Sequence, residues 1–105
     1  MYDQLITVGI PVHNGEEYIE ETINNILNQT YNNVQIIIND NCSTDLTYEI
    51  CNNLTLRDER IKLYKENTKL NVVDNFKKVF ERSSSDFFIY AAVGDKWNPT
   101  FLEKM

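Results

Sequence analysis

Ile36-Ile37-Ile38-Asn39-Asp40-Asn41-Cys42-Ser43-Thr44-Asp45 is the stretch whose reading decides the fold. It opens on β-branched residues with no polar alternation, the pattern of a strand buried on both faces. It closes in a polar cluster, Asn39 to Asp45. Tyr48-Glu49-Ile50-Cys51 then looks helical, with Ser43 or Thr44 as its expected cap. Parallel α/β sheets bind ligands outside the carboxyl ends of their strands, where a buried strand opens into a polar loop and a helix. The carboxylate that such a loop presents here is Asp40.

The same unit recurs on either side. Upstream, Leu5 to Ile10 reads as a buried strand ended by Pro11, which cannot donate to a ladder. A loop from Pro11 to Gly15 follows. Glu16 to Gln29 then carries Ile19, Ile23, Ile26 and Leu27 at helical spacing, with acidic residues in the first turns. Downstream of a second helix over 44–56, Ile61 to Tyr64 reads as a short strand and Asn67 to Asn71 as a polar loop. Val72 to Arg82 reads as a helix with Val72, Val73, Phe76, Val79 and Phe80 on one side. Phe87 to Ala92 is a fourth strand, expected to be buried, and Pro99 opens a last helix. The order β-α-β-α-β-α-β-α predicts an α/β, Rossmann-like parallel sheet with helices on both faces. The end of the chain inside a helix suggests the front part of a larger protein.

Composition narrows the function. The 105 residues suit one small domain, and 42% hydrophobic residues suit a folded one. Ten Lys and Arg stand against 16 Asp and Glu, a formal charge of -6. That argues against non-specific nucleic-acid binding, which depends on basic side chains at phosphates. A phosphate ligand would need backbone N–H groups, a helix N-terminus or a divalent cation. Cys42 and Cys51 read as two reduced thiols, since no further Cys or His completes a zinc pattern. No stretch approaches the roughly 20 apolar residues of a transmembrane helix. The start of the chain lacks the basic-then-apolar form of a signal peptide. A cytoplasmic setting is the simplest reading.

Three strand-end loops should lie side by side: Pro11 to Gly15, Asn39 to Ser43, and Val93 to Trp97. Asp40 and Asp95 each follow an apolar strand. Carboxylates so placed suit a hydrogen bond to a base or sugar, or a hard divalent metal; singly, they also suit turn formers and helix caps. Neither G-x-G-x-x-G nor G-x-x-x-x-G-K-[ST] occurs, which disfavours a dinucleotide dehydrogenase or a P-loop ATPase. His13, the one histidine, reads as a loop or capping side chain before a ligand or base.

Val8-Gly9-Ile10-Pro11-Val12-His13-Asn14, then Gln29-Thr30-Tyr31 at a helix end, then Asn39-Asp40-Asn41-Cys42-Ser43-Thr44-Asp45 resemble the front of a family 2 glycosyltransferase. The run from Asp86 through Tyr90, Asp95 and Trp97 to Pro99 resembles that family's fourth strand and acidic motif. The resemblance implies an A-type nucleotide-diphospho-sugar fold over nearly the whole chain. It implies that Pro11, Val12 and His13 line a base pocket and that Asn14 and Glu16 shape its edge. It assigns Asp40 to the nucleobase, usually uracil, and puts Asn67 in a loop near the nucleotide. Asp95 falls in the acidic motif that holds Mn²⁺ or Mg²⁺ against the diphosphate.

The implied activity is inverting sugar transfer from a nucleotide-diphospho-sugar, most simply a UDP-sugar, to a saccharide or lipid-linked acceptor in polysaccharide assembly. The general base and the acceptor site belong to a second half outside these residues, so this fragment is expected to be inactive alone. A homodimer and a position at the inner face of a membrane are compatible with it. Two departures from the pattern stand out. Asn39 replaces the first aspartate of a pair, and Val93-Gly94-Asp95-Lys96 holds one carboxylate where the family usually shows two or three. The second favours an alternative, a non-catalytic nucleotide-binding module of the same fold. A receiver-like domain with Asp40 as phospho-acceptor is disfavoured, because no acidic pair follows the first strand.

Overall fold

The computed structural model describes residues 4–105. Four strands, β1 (Ile6–Val12), β2 (Val34–Asp40), β3 (Ile61–Lys65) and β4 (Phe87–Tyr90), form one parallel sheet in the order β3-β2-β1-β4. Three helices, α1 (Ile19–Leu27), α2 (Thr47–Thr55) and α3 (Val72–Glu81), connect them, and a single 3₁₀ turn, Leu102–Lys104, lies near the end. The strand order reverses between β1 and β4, so a crevice opens where β1 has neighbours on both sides.

The two faces of the sheet are built differently. Ile6, Val8, Ile10 and Val12 of β1 point to one face and join Ile36 and Ile38 of β2, Ile19, Ile23 and Ile26 of α1, and Cys51 and Leu54 of α2 in the main core. Ile36, Ile37 and Ile38 are each at most 1% exposed, as a strand covered on both sides requires. Thr7, Gly9 and Pro11 point to the other face, against α3. A Cβ on Gly9 would lie 2.4 Å from Val79 and 2.6 Å from Phe88, so glycine there permits the close approach of α3.

Several boundaries move from their expected places, each for a local reason. Pro11 does not end β1, which runs on to Val12. The even residues of β1 bond β2, shown by Asn41 N–H on Val12 O and Ile6 N–H on Asn33 O. The odd ones face β4, and Ala91 N–H bonds Gly9 O. The missing N–H of Pro11 therefore falls on the β4 side, where it would have continued that ladder, and β4 stops at Tyr90 instead of Ala92. Nor is β4 a buried strand. It is the sheet edge, with Phe87 and Tyr90 about two-fifths exposed and its rings packed edge-on against one another and against α3.

Helix α1 starts three residues later than Glu16, because Gly15 O accepts both Tyr18 and Ile19 N–H in a tight turn. Helix α2 starts at Thr47, and neither Ser43 nor Thr44 caps it. Leu46 stands at the cap position, and Asp45, one residue earlier, steadies the start of the helix by accepting Thr47 N–H with Oδ1 at 2.9 Å. Only part of the apolar stripe of α3 meets the sheet: Val79 is buried and Phe76 and Phe80 pack on the rings of β4, while Val72 is 71% exposed and Asn75 is the other buried residue. Pro99 leads into a turn that Asn98 holds through Thr100 N–H, and the helix expected there is one 3₁₀ turn.

Candidate nucleotide site

Side chains stitch the loop after β1 to the loop after β2. Asn14, in the left-handed region at φ 54°, donates its N–H to Ser43 Oγ at 2.8 Å. Ser43 Oγ donates to Asp40 Oδ1 at 2.5 Å. Asn14 Oδ1 accepts Thr44 N–H at 2.8 Å, Gly15 N–H bonds Thr47 Oγ1, and Glu16 N–H bonds Asp45 Oδ2. The carboxylate of Glu16 returns a bond to Leu46 N–H at 3.0 Å. Burial pushes the Asp45 carboxyl up, but the Thr47 hydroxyl and the N–H groups of Thr47 and Glu16 outweigh it and hold it below the usual carboxylate range.

His13 sits beside this seam. Its Nδ1 lies 2.7 Å from Asn41 O, an acceptor only, so Nδ1 carries the proton and Nε2 accepts from Asn14 Nδ2 at 3.3 Å. Asn41 ties in the third loop: its amide donates to Leu70 O at 2.8 Å and accepts Leu70 N–H at 2.7 Å. Cys42 follows at φ 59°, which lets the chain turn back over Asp40.

Two clefts meet over the end of β1. One, about 410 Å³, is lined by Pro11 to His13, Asn41, Lys69 to Val72, Asn75 and Phe76. The other, about 380 Å³, is lined by Pro11 to Gly15, Glu17, Tyr18, Phe76, Ala92 and Val93. They share Pro11, Val12, His13 and Phe76 and lie at the reversal of strand order. Each is the size of a small-molecule site.

The expected site residues divide around these clefts. Pro11, Val12 and His13 line both, and Asn14 lines one. Glu16 is exposed and engaged with Leu46, and Asn67 is exposed outside both linings. Asp40 is wholly buried, one strand across from Val12 in the sheet register, and lines neither cleft. Its Oδ2 is enclosed and has no hydrogen-bond partner among the described residues. Cys51, beneath it in α2, is pushed up to about 12 by burial and then by the charge of Asp40. Cys51 and Cys42 are both free thiols.

Asp95 has a different setting. It is exposed, and its Oδ2 accepts Ala92 N–H at 2.9 Å to close a turn that Asp95 N–H on Ala92 O completes. Lys96 beside it pairs with Glu21 at 2.8 Å. No group of three or more His, Cys, Asp or Glu that could hold a metal ion occurs among the described residues. One carboxylate with an oxygen already committed to the backbone does not fit a hard divalent cation, which takes several oxygen ligands.

Sequence reading missed the residues that hold this loop. Thr22 and Asn25 of α1 and Gln29 just past its end recur at helical spacing. Thr22 Oγ1 accepts Gly94 N–H at 2.8 Å. Asn25 exchanges two bonds with Trp97, and Gln29, 2% exposed, bonds Asn98 O and Leu102 N–H. Their spacing, a polar line on an otherwise apolar helix, was the available signal.

The comparisons with known proteins bear on this site. Residues 7–105 match the family described as Glycosyl transferase family 2. The chain belongs to that family. A relative in Bacillus subtilis, the putative teichuronic acid biosynthesis glycosyltransferase TuaG, is 35% identical over 102 residues, covering 95% of this chain and 40% of its own. An uncharacterised glycosyltransferase of Haemophilus influenzae is 32% identical over 101 residues, 96% of this chain and 31% of its own.

Among solved structures, this family 2 chain superposes on Staphylococcus aureus TarS 1-349 in complex with UDP at a TM-score of 0.85 and 22% identity, over 94% of this chain and 30% of that one. It also superposes on the Pyrobaculum calidifontis mannosyltransferase PcManGT in complex with GDP-Man and Mn²⁺, at 0.84 and 20% identity, over 92% of this chain and 29% of that one. These two likenesses establish the A-type glycosyltransferase fold. The chain spans well under half the length of the relatives it matches. No helix among the described residues is long and apolar enough to cross a membrane.

Proposed function

We propose that this chain forms the donor-nucleotide site of an inverting sugar transferase, whose substrate is a UDP-sugar and whose acceptor is a saccharide or lipid-linked hydroxyl. One observation carries the reading. Clefts of ligand size lie at the strand ends where order reverses, and beside them Asp40 holds a buried carboxylate oxygen with no partner. Such an oxygen costs stability unless a ligand donor meets it, and the N3–H of uracil is a donor of the right kind. Pro11, Val12 and His13 would supply the wall against which the base lies. Asn14 would hold the His13 ring in place, and Asn67 would lie at the outer rim.

In this reading the acceptor half, with its general base, lies outside these residues, and the fragment alone does not turn over. The setting is the cytoplasm, at the inner face of a membrane where the acceptor is lipid-linked. Lys69 borders the larger cleft and offers the diphosphate positive charge, while the first turn of α3 holds Asp74 and adds none. The first turn of α1 adds none either, since Glu20 and Glu21 occupy it.

The test is calorimetric titration of UDP into the chain, with uridine as a control for the diphosphate. Saturable UDP binding, weaker for uridine, is expected. A folded chain that binds neither would overturn the reading. A second reading, a nucleotide-binding module without turnover, is favoured by the lone carboxylate of the Val93–Trp97 loop. Release of UDP from UDP-sugars by the full-length protein with acceptor present would exclude it.

A further inference from the structure

Asn75 is 5% exposed, on the side of α3 that meets the sheet, and it also lines the larger cleft. Its amide has only one available orientation, set by a chain of contacts that begins at Arg82, just past the end of α3. Arg82 Nη1 donates to Asn39 Oδ1. Arginine has N–H donors and no acceptor, so the carbonyl oxygen of Asn39 must face it. The Asn39 NH₂ must then face the other way. There it meets Glu66 Oε2 at 3.2 Å, an acceptor, and Asn75 Oδ1 at 2.7 Å.

Asn39 is 0% exposed, so neither amide has water as an alternative partner on this side. With its oxygen committed to Asn39, Asn75 has only Nδ2 left for its remaining partner. No protein atom accepts from Nδ2 in any hydrogen bond of the described residues, and it is not among the fully enclosed polar atoms. The open side of Asn75 is the cleft.

We infer that Asn75 is a specificity-determining residue, a fixed N–H donor that selects a carbonyl on the bound base. The inference rests on the nucleotide reading of the cleft and names the base within it. A free asparagine amide flips to suit either partner; this one cannot flip without setting two NH₂ groups against each other and turning the Asn39 amide N–H toward Arg82. At its 4-position uracil presents a carbonyl oxygen beside the N3–H. Cytosine presents an amino group beside a bare ring nitrogen, so at the same position it offers a donor to a donor. Among pyrimidines of equal size the cleft therefore takes uracil. Arg82 and Glu66 act through Asn39 and are positioning residues, and Asn39 itself belongs to this chain of contacts on the α3 face.

The experiment measures the ratio of UDP to CDP affinity by calorimetry, on the wild type, Asn75→Asp and Arg82→Met, with thermal melts as the control for folding. The wild type is expected to prefer UDP by about tenfold or more, the discrimination expected when a buried donor is left facing a donor. Asn75→Asp offers only acceptors, and its ratio is expected to fall by about threefold or more from that of the wild type, most of the loss being in UDP affinity, while Asp40 still favours the N3–H of uracil over the bare nitrogen of cytosine. Arg82→Met touches neither cleft and releases the flip, so its ratio should narrow as well. On the wild type alone, 4-thio-UDP, whose sulfur accepts poorly, should bind several-fold more weakly than UDP. UDP binding with no preference over CDP, an unchanged ratio in a folded Asn75→Asp, or equal binding of 4-thio-UDP overturns the inference and leaves the nucleotide site standing. Binding of neither nucleotide by the folded wild type overturns the site itself.

Discussion

The loops after β2 and β4 each carry an aspartate directly after an apolar run, and they have become different objects. Asp40 is 0% exposed, with one oxygen held by Ser43 and the other unpartnered. Asp95 is exposed and spends an oxygen on Ala92 N–H, the ordinary service of a turn former. Position in the sheet separates them. β2 is an inner strand under α2, so its end is roofed by the Asn41–Ser43 turn. β4 is the edge, shortened by Pro11, and its loop hangs in solvent from Thr22 and Asn25 of α1 and Gln29 just past its end. The same residue type after the same kind of strand is a candidate ligand group in the first place and scaffolding in the second.

The widest gap between them should appear in Asp40→Asn. Oδ1 still accepts from Ser43, while the unpartnered oxygen becomes an NH₂ that opposes a ligand N–H. We expect UDP affinity to fall about thirtyfold, the ~2 kcal/mol of a hydrogen bond to a charged group. Calorimetry on the folded variant checks it, and affinity within twofold of the wild type would remove Asp40 from the site.

Much of this was legible beforehand, and the failures have physical causes. The unbroken Ile36–Ile38 run could only be a strand covered on both faces, and the α/β alternation then implied the parallel sheet. The two roles open to an aspartate at a strand end, turn former or ligand, could not be separated in sequence, because they differ in burial and not in neighbours. Phe87 to Ala92 looked buried because aromatic residues fill edge strands and inner strands alike. Asn39 looked like a lost aspartate of the site. It faces the opposite side of β2 from Asp40, and its partners Glu66, Asn75 and Arg82 come from 27 to 43 residues away, beyond any local pattern. Ser43 and Thr44 looked like caps, yet the loop after β1 claims both, and Asp45 takes the first N–H of α2 from just outside the cap position.

Asp45 gives a smaller effect that depends on pH. Its folded pKa is depressed, so it binds a proton more readily when unfolded, near the ordinary pKa of about 3.9. The stability it contributes is complete above that value and is lost as pH falls through the folded pKa. Asp45→Asn should therefore cost about 1 kcal/mol at neutral pH, the difference between hydrogen bonds to a charged and to a neutral acceptor. The difference from the wild type should shrink below about pH 4. Urea unfolding at pH 7 and pH 3 measures it; an equal difference at both would mean that Asp45 acts without its charge.

The smallest effect belongs to Asp95. Its loop holds a single carboxylate, and the backbone takes one of the oxygens, so neither the residue nor a divalent cation should matter to nucleotide affinity in this chain. UDP titrations in Mn²⁺ and in EDTA should agree within about twofold, as should Asp95→Ala and the wild type, a difference under ~0.5 kcal/mol. Asp95→Ala frees Ala92 N–H to solvent, which costs little at an exposed turn. A tenfold gain from Mn²⁺ that disappears in Asp95→Ala would reverse the comparison: Asp95 would then leave Ala92 on binding, and the turn it closes would be the resting form of a metal ligand.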